Sequence, residues 1–98
     1  MTNKEIEKLI DSEPYGWLLH HGERYPQFKL MAAEKCAEKD PHVFFHYCLE
    51  KYPQFELIAV KKIAEDDACW FLEHYAVKYP QFAVIALFNA VNDDHRKI

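Results

Sequence analysis

Few side chains in this sequence can do chemistry, and their spacing limits what that chemistry could be. His42 and His46 stand four residues apart, and 27 residues later the same positions hold Cys69 and Glu73. Four residues is about one helical turn, so each pair shares a face, and all four types can ligate Zn2+ or a similar ion. One period earlier the positions are Tyr15 and Leu19, so the ligand pattern does not repeat. Packed helix axes lie ~8–10 Å apart, at the edge of what the ligands of a single ion tolerate. The simpler reading is a solvated helix face with a half-buried cysteine, and neither a metal nor a cofactor is expected.

A second constellation is basic. Arg24, Lys51 and Lys78 recur at the same interval, with Lys35 and Lys62 as partial companions. Such a stripe can track a phosphate backbone. Against it, Glu23 and Glu50 sit beside the stripe, and 12 basic against 16 acidic residues give a net charge of −4. Cations at the ends of helices are also favoured by the helix dipole alone. Nucleic-acid binding through these five residues is therefore the alternative reading, not the leading one.

Catalytic patterns are missing. The sequence has no glycine-rich phosphate loop, HExxH, CxxC or GxSxG. Ser12 is the one serine and Thr2 the one threonine. Cys48 shares a column with His21 and Tyr75 inside an apolar stripe, where a thiol is a small hydrophobe. No enzyme is expected.

What must position these residues is a repeat. Tyr-Pro-Gln-Phe occurs at Tyr25–Phe28, Tyr52–Phe55 and Tyr79–Phe82, 27 residues apart each time. Aligned on the tyrosine, further columns fall into register: Trp17/Phe44/Phe71, Leu18/Phe45/Leu72, Met31/Ile58/Ile85, Ala32/Ala59/Ala86 and Asp40/Asp67/Asp94. Each repeat reads as two short helices. Asp40-Pro41 is a start signal, with Asp40 capping free N–H groups and Pro41 at the first helical position; Asp67 is expected to cap likewise. The second helix starts at the proline of the tetrapeptide, the residue before it being pushed out of the helical region. Apolar spacing predicts helices at 14–23, 26–38, 41–50, 53–65, 68–77 and 80–91. Residues 3–11 match a second helix, with Ile6, Leu9 and Ile10 on its apolar columns and Glu5 where the repeats carry alanine.

Helix pairs this short bury little alone and must stack. The sequence thus predicts an all-α, right-handed α-solenoid of about 3.5 repeats and seven helices. It is read as one domain over 1–98, with a half repeat at 3–11, repeats near 13–39, 40–66 and 67–93, and a frayed tail at 94–98. With its paired helices and an Asp at the turn, the chain resembles helical-repeat families of the HEAT and leucine-rich-variant type. That resemblance implies a scaffold for binding macromolecules and brings no catalytic residues.

The phenylalanine and Trp17 columns are expected in the core, and the alanine column is expected to let helices approach closely. The Gln27/Gln54/Gln81 column is expected to bond locally near helix starts. The N-terminus has no apolar signal core, no apolar run approaches the ~18 residues of a membrane helix, and an odd count of 3 Cys suits free thiols. These features suggest a cytoplasmic protein.

The last repeat is unusually apolar. Val77 stands where the others have Glu23 and Glu50, Ala83 where they have Lys29 and Glu56, and Phe88 where they have Glu34 and Lys61. With Val84, Leu87 and Val91 these residues form a face of interface type. The expectation is protein recognition by a small inhibitor, immunity or adaptor protein of phage or mobile-element character. The docking face would take an unidentified partner or a second copy.

Overall fold

The computed structural model describes the backbone of residues 2–97 and the side chains of residues 2–91. Seven α-helices and three 3-10 turns are present, and no strand occurs among the described residues. The helices are α1 (Asn3–Ser12), α2 (Pro14–His21), α3 (Lys29–Lys39), α4 (Pro41–Tyr47), α5 (Glu56–Asp66), α6 (Ala68–His74) and α7 (Ala83–Lys97). None is long and apolar enough to cross a membrane. The tail expected to fray at 94–98 is instead helical as far as Lys97, and residue 98 lies outside the described residues.

Two kinds of corner join these elements, each recurring at the 27-residue period. At the first, one residue separates two helices: Glu13, Asp40 and Asp67, with φ/ψ of −142/75, −129/64 and −136/60. Its N–H donates to the carbonyl four residues back, at 2.8 Å in all three cases. Its own carbonyl accepts from Trp17, Phe44 or Phe71 at 2.8, 2.9 and 3.0 Å. One backbone unit thus ends one helix and begins the next. The carboxylates of Asp40 and Asp67 were expected to cap, but neither corner has a side-chain cap bond. At Asp40 the next residue is Pro41, which has no N–H to offer.

The second corner is the tetrapeptide. Tyr25, Tyr52 and Tyr79 have φ/ψ of −129/66, −130/56 and −126/64. Each tyrosine carbonyl accepts from the phenylalanine three residues on, at 3.0, 3.2 and 3.1 Å. The proline therefore opens a 3-10 turn, and the α-helix expected from it begins three residues later. The preceding helices also end earlier than their apolar spacing suggests. After Tyr47 the Leu49 N–H reaches back five residues, to the Phe44 carbonyl at 3.0 Å, and breaks the α ladder.

The chain divides into two compact units, residues 1–59 and 60–98. In the first, α3 packs against α1, α2 and α4. One apolar cluster gathers Ile6, Ile10, Trp17 and Ala32; the other gathers Cys36, Ala37, Phe44, Cys48 and Ala59. Lys35 pairs with Asp11 at 3.6 Å, and the Lys39 ammonium donates to the Asp11 carbonyl, which ties α3 to the end of α1. In the second unit α6 packs on α7, and Val60, Ile63, Ala64, Ala68, Phe71, Tyr79 and Ala86 are buried.

The repeat columns sort as physics requires. Trp17, Phe44 and Phe71 are buried, and Ala32, Ala59 and Ala86 are wholly so. Phe28, Phe55 and Phe82, expected in the core, are half-buried, because the 3-10 turn holds them at its edge. The three glutamines are exposed.

Trp17 differs from its column mates in carrying a donor. Its buried indole N–H has no hydrogen-bond partner among the described residues. An unmet buried donor costs ~1–3 kcal/mol. Trp17→Phe restores the residue of the other repeats and removes that donor, so urea denaturation should show a change within ~1 kcal/mol despite the lost ring area.

A second prediction concerns the corner at Asp67. Pro14 and Pro41 are buried as the first residues of α2 and α4, and the equivalent first residue of α6 is Ala68. The backbone at Asp67 already has the shape found before those prolines. Ala68→Pro should therefore stabilise the protein by ~0.4–1 kcal/mol through a smaller unfolded-state entropy. Thermal and urea melts measure it.

Candidate functional site

Over residues 83–91, helix α7 is apolar on both sides. Its inner side buries Ala86 and half-buries Phe82, just before the helix, and Ile85. Its outer side carries Val84, Leu87, Phe88 and Val91, which are 75%, 54%, 67% and 55% exposed. Their offsets of three, four and seven residues put all four within one narrow stripe, the spacing of a helix-packing seam. Of the other two residues read as part of this face, Val77 is exposed in the turn after α6, and Ala83 is half-buried as the first residue of α7. The stripe holds four of the six.

The same columns behave differently earlier in the chain. Ala33 and Val60 are fully buried where Leu87 is exposed, and Ala37 and Ala64 are fully buried where Val91 is exposed. One period before the first repeat, Ile6 and Ile10 are also buried. Side chains of type and register suited to a covered face thus stand in the open on α7. Leaving one large aliphatic or aromatic side chain exposed forgoes ~1.5–3 kcal/mol of burial.

The basic stripe is partly neutralised. Lys62 lies 3.7 Å from Asp66, and Lys35 contacts both Asp11 and Glu38. Arg24, Lys51 and Lys78 are exposed, and the Lys78 ammonium sits 5.4 Å from the centre of the Tyr79 ring. His42, His46, Cys69 and Glu73 are exposed as well. Glu73 lies 3.8 Å from His74, and the His46 ring packs on Tyr47 at 5.4 Å. Among the described residues no three His, Cys, Asp or Glu side chains converge as metal ligands do.

One site in the first unit has no counterpart in the sequence reading. Tyr15 stacks on Tyr47, with ring centres 5.1 Å apart and planes at 21°. Beside the pair lies a groove of about 140 Å3 lined by Leu18, Leu19, Cys48 and Lys51 among others. Cys48 is nearly buried and shares an apolar cluster with the fully buried Cys36, whose thiol donates weakly to the Asp40 carbonyl at 4.0 Å. The neighbouring Cys48 sulfur, together with burial, pushes the Cys36 thiol up. The neighbouring Cys36 thiol lowers Cys48, with burial opposing and the Lys51 charge helping. Cys36 and Cys48 fall on different repeat columns, so the period that reveals the core cannot pair them.

Burial raises the Tyr15 hydroxyl above its ordinary value, and negative charge at Cys48 and Tyr47 would add to the effect. In the second unit burial alone raises Tyr75. A raised folded value means that the unfolded chain loses its proton first. The stabilisation is full below ~pH 10 and is lost as pH rises through the folded values. The urea midpoint should therefore fall above ~pH 10, and Tyr15→Phe with Tyr75→Phe should flatten that fall.

Comparison with family models, with curated proteins and with solved structures finds no match to this chain.

Proposed function

We propose that the chain is a right-handed α-solenoid of about 3.5 two-helix repeats, of the HEAT and leucine-rich-variant kind, and that it works as a protein-recognition module without catalysis. The repeated corners and the repeated burial of the Trp17 and Ala32 columns support the architecture. The observation that carries the function is the reversal of burial on α7. Columns filled with buried apolar side chains earlier in the chain are exposed there, and Phe88 replaces the charges of Glu34 and Lys61. In a stack of repeats, that is the face on which a further unit would dock. An exposed apolar stripe of this kind serves to hold a partner.

The occupant is a helical surface presented by another protein, as suits a small inhibitor, immunity or adaptor protein. If a second copy fills the role, a two-fold pairing sets Phe88 against the partner's Phe88. Head-to-tail stacking is disfavoured because α1 carries Lys4, Glu5, Glu7, Lys8 and Asp11 as exposed residues.

The test is Phe88→Lys, which installs the side chain of the second repeat. Circular dichroism should show unchanged helicity. Light scattering should show loss of a dimer, or pull-down should show loss of a bound protein. Unfolding of the variant would instead make Phe88 a core residue and end this reading.

A further inference from the structure

Two segments of the first unit line the groove beside the Tyr15–Tyr47 stack. Helix α2 supplies Tyr15, Leu18 and Leu19, and the turn after α4 supplies Cys48, Lys51 and Tyr52. That turn is fixed by its own backbone, because the Lys51 and Tyr52 N–H groups both donate to the Cys48 carbonyl, at 3.1 and 2.9 Å. The aromatic wall is fixed as well. Tyr47 stacks on Tyr15 at 5.1 Å and meets the His46 ring at 5.4 Å, yet stays 60% exposed. A side chain already held in place loses little freedom when something binds to it. The charged groups that line the groove are Glu23, Lys29 and Lys51. Glu23 pairs with Lys29 at 3.2 Å, whereas Lys51 is exposed and has no ion pair among the described residues. The lining therefore carries one uncompensated cation, on a chain of net charge −4.

We propose that this groove is a binding site for a small aromatic carboxylate, with the ring against the tyrosines and the carboxylate toward Lys51. The volume fits one ring, since a cavity of about 150 Å3 holds benzene and the groove measures about 140 Å3. Leu18 and Leu19 add apolar contact, and Leu19, at 62% exposed, has the most area to gain from being covered. The tyrosines favour a flat ring, which can stack or meet them edge to face, over an aliphatic acid of equal size. Charge selects the anion. A neutral aromatic would leave Lys51 without a counter-charge, and a dianion would exceed the one cation that is free. Every lining residue belongs to the unit of residues 1–59, so the site neither needs nor tests the interface read on α7.

The experiment titrates the nitrogen-labelled full chain with benzoate and follows the backbone amide signals by NMR. The expected result is saturable movement of the Leu18, Leu19, Lys51 and Tyr52 amides, with a Kd of about 1 mM or tighter for so small a ligand. Benzamide has nearly the same shape without the charge. It should bind more weakly by about threefold or more, the factor an exposed ion pair supplies. Cyclohexanecarboxylate, charged but not flat, should also bind more weakly than benzoate. Lys51→Met should bring benzoate down to the affinity of benzamide and leave benzamide unaffected. The proposal is overturned if the benzoate shifts do not saturate or map outside the groove, or if either analogue binds as well as benzoate. It is equally overturned if Lys51→Met leaves benzoate binding unchanged. The three probes on the unaltered chain decide the matter even if the substitution impairs folding.

Discussion

The structure depends on one backbone constraint, the residue held at φ near −130° and ψ near 60°. It occurs at Glu13, Tyr25, Asp40, Tyr52, Asp67 and Tyr79. All 5 prolines of the chain follow directly on such a residue, at Pro14, Pro26, Pro41, Pro53 and Pro80. The proline ring clashes with a preceding residue in the helical region, so each of these five corners is encoded by the residue after it. Among the described residues none has positive φ, and neither of the 2 Gly is used for a left-handed turn. Direction changes are thus made without the entropy cost of glycine. The backbone hydrogen bonds also continue through each corner, which leaves few buried polar groups unmet.

Much of the architecture follows from that constraint and is visible in the sequence. Corners spaced alternately 12 and 15 residues apart admit only short helices, and identical corners force the same register three times. That is why the Trp17/Phe44/Phe71 and Ala32/Ala59/Ala86 columns can be assigned to the interior from residue type and period alone. The reading fails where local backbone chemistry intervenes. Asp40 looks like a cap by composition, but its backbone already bridges the two helices. Phe28, Phe55 and Phe82 have core composition, yet the 3-10 turn places them at the edge. The Cys36–Cys48 pair and the Tyr15–Tyr47 stack are contacts between unlike columns, and a period reports only on like ones.

Surface charge enters mainly as compensation. Lys29 with Glu23 at 3.2 Å, Lys35 with Asp11, and Lys62 with Asp66 are exposed or half-exposed pairs, each contributing ~0.2–1 kcal/mol at most. Their larger effect is to cancel cations that would otherwise draw polyanions. Lys35 and Lys62 are engaged in this way, on a chain of net charge −4. Counterion release scales with the number of phosphates neutralised, so each engaged cation weakens it.

The repeat constrains the residues of the α7 stripe differently. Val84 falls on the column of Leu30 and Leu57, and all three are exposed. An exposed aliphatic column is thus part of the repeat, and at that position α7 inherits what the other repeats show. Leu87 and Val91 fall on columns buried elsewhere, so their exposure follows from position, not from composition. Phe88 alone departs in residue type, replacing Glu34 and Lys61. Exchanging that charge for an aromatic ring adds apolar area at the centre of the stripe and is costly in water unless something covers it, which supports the proposed interface.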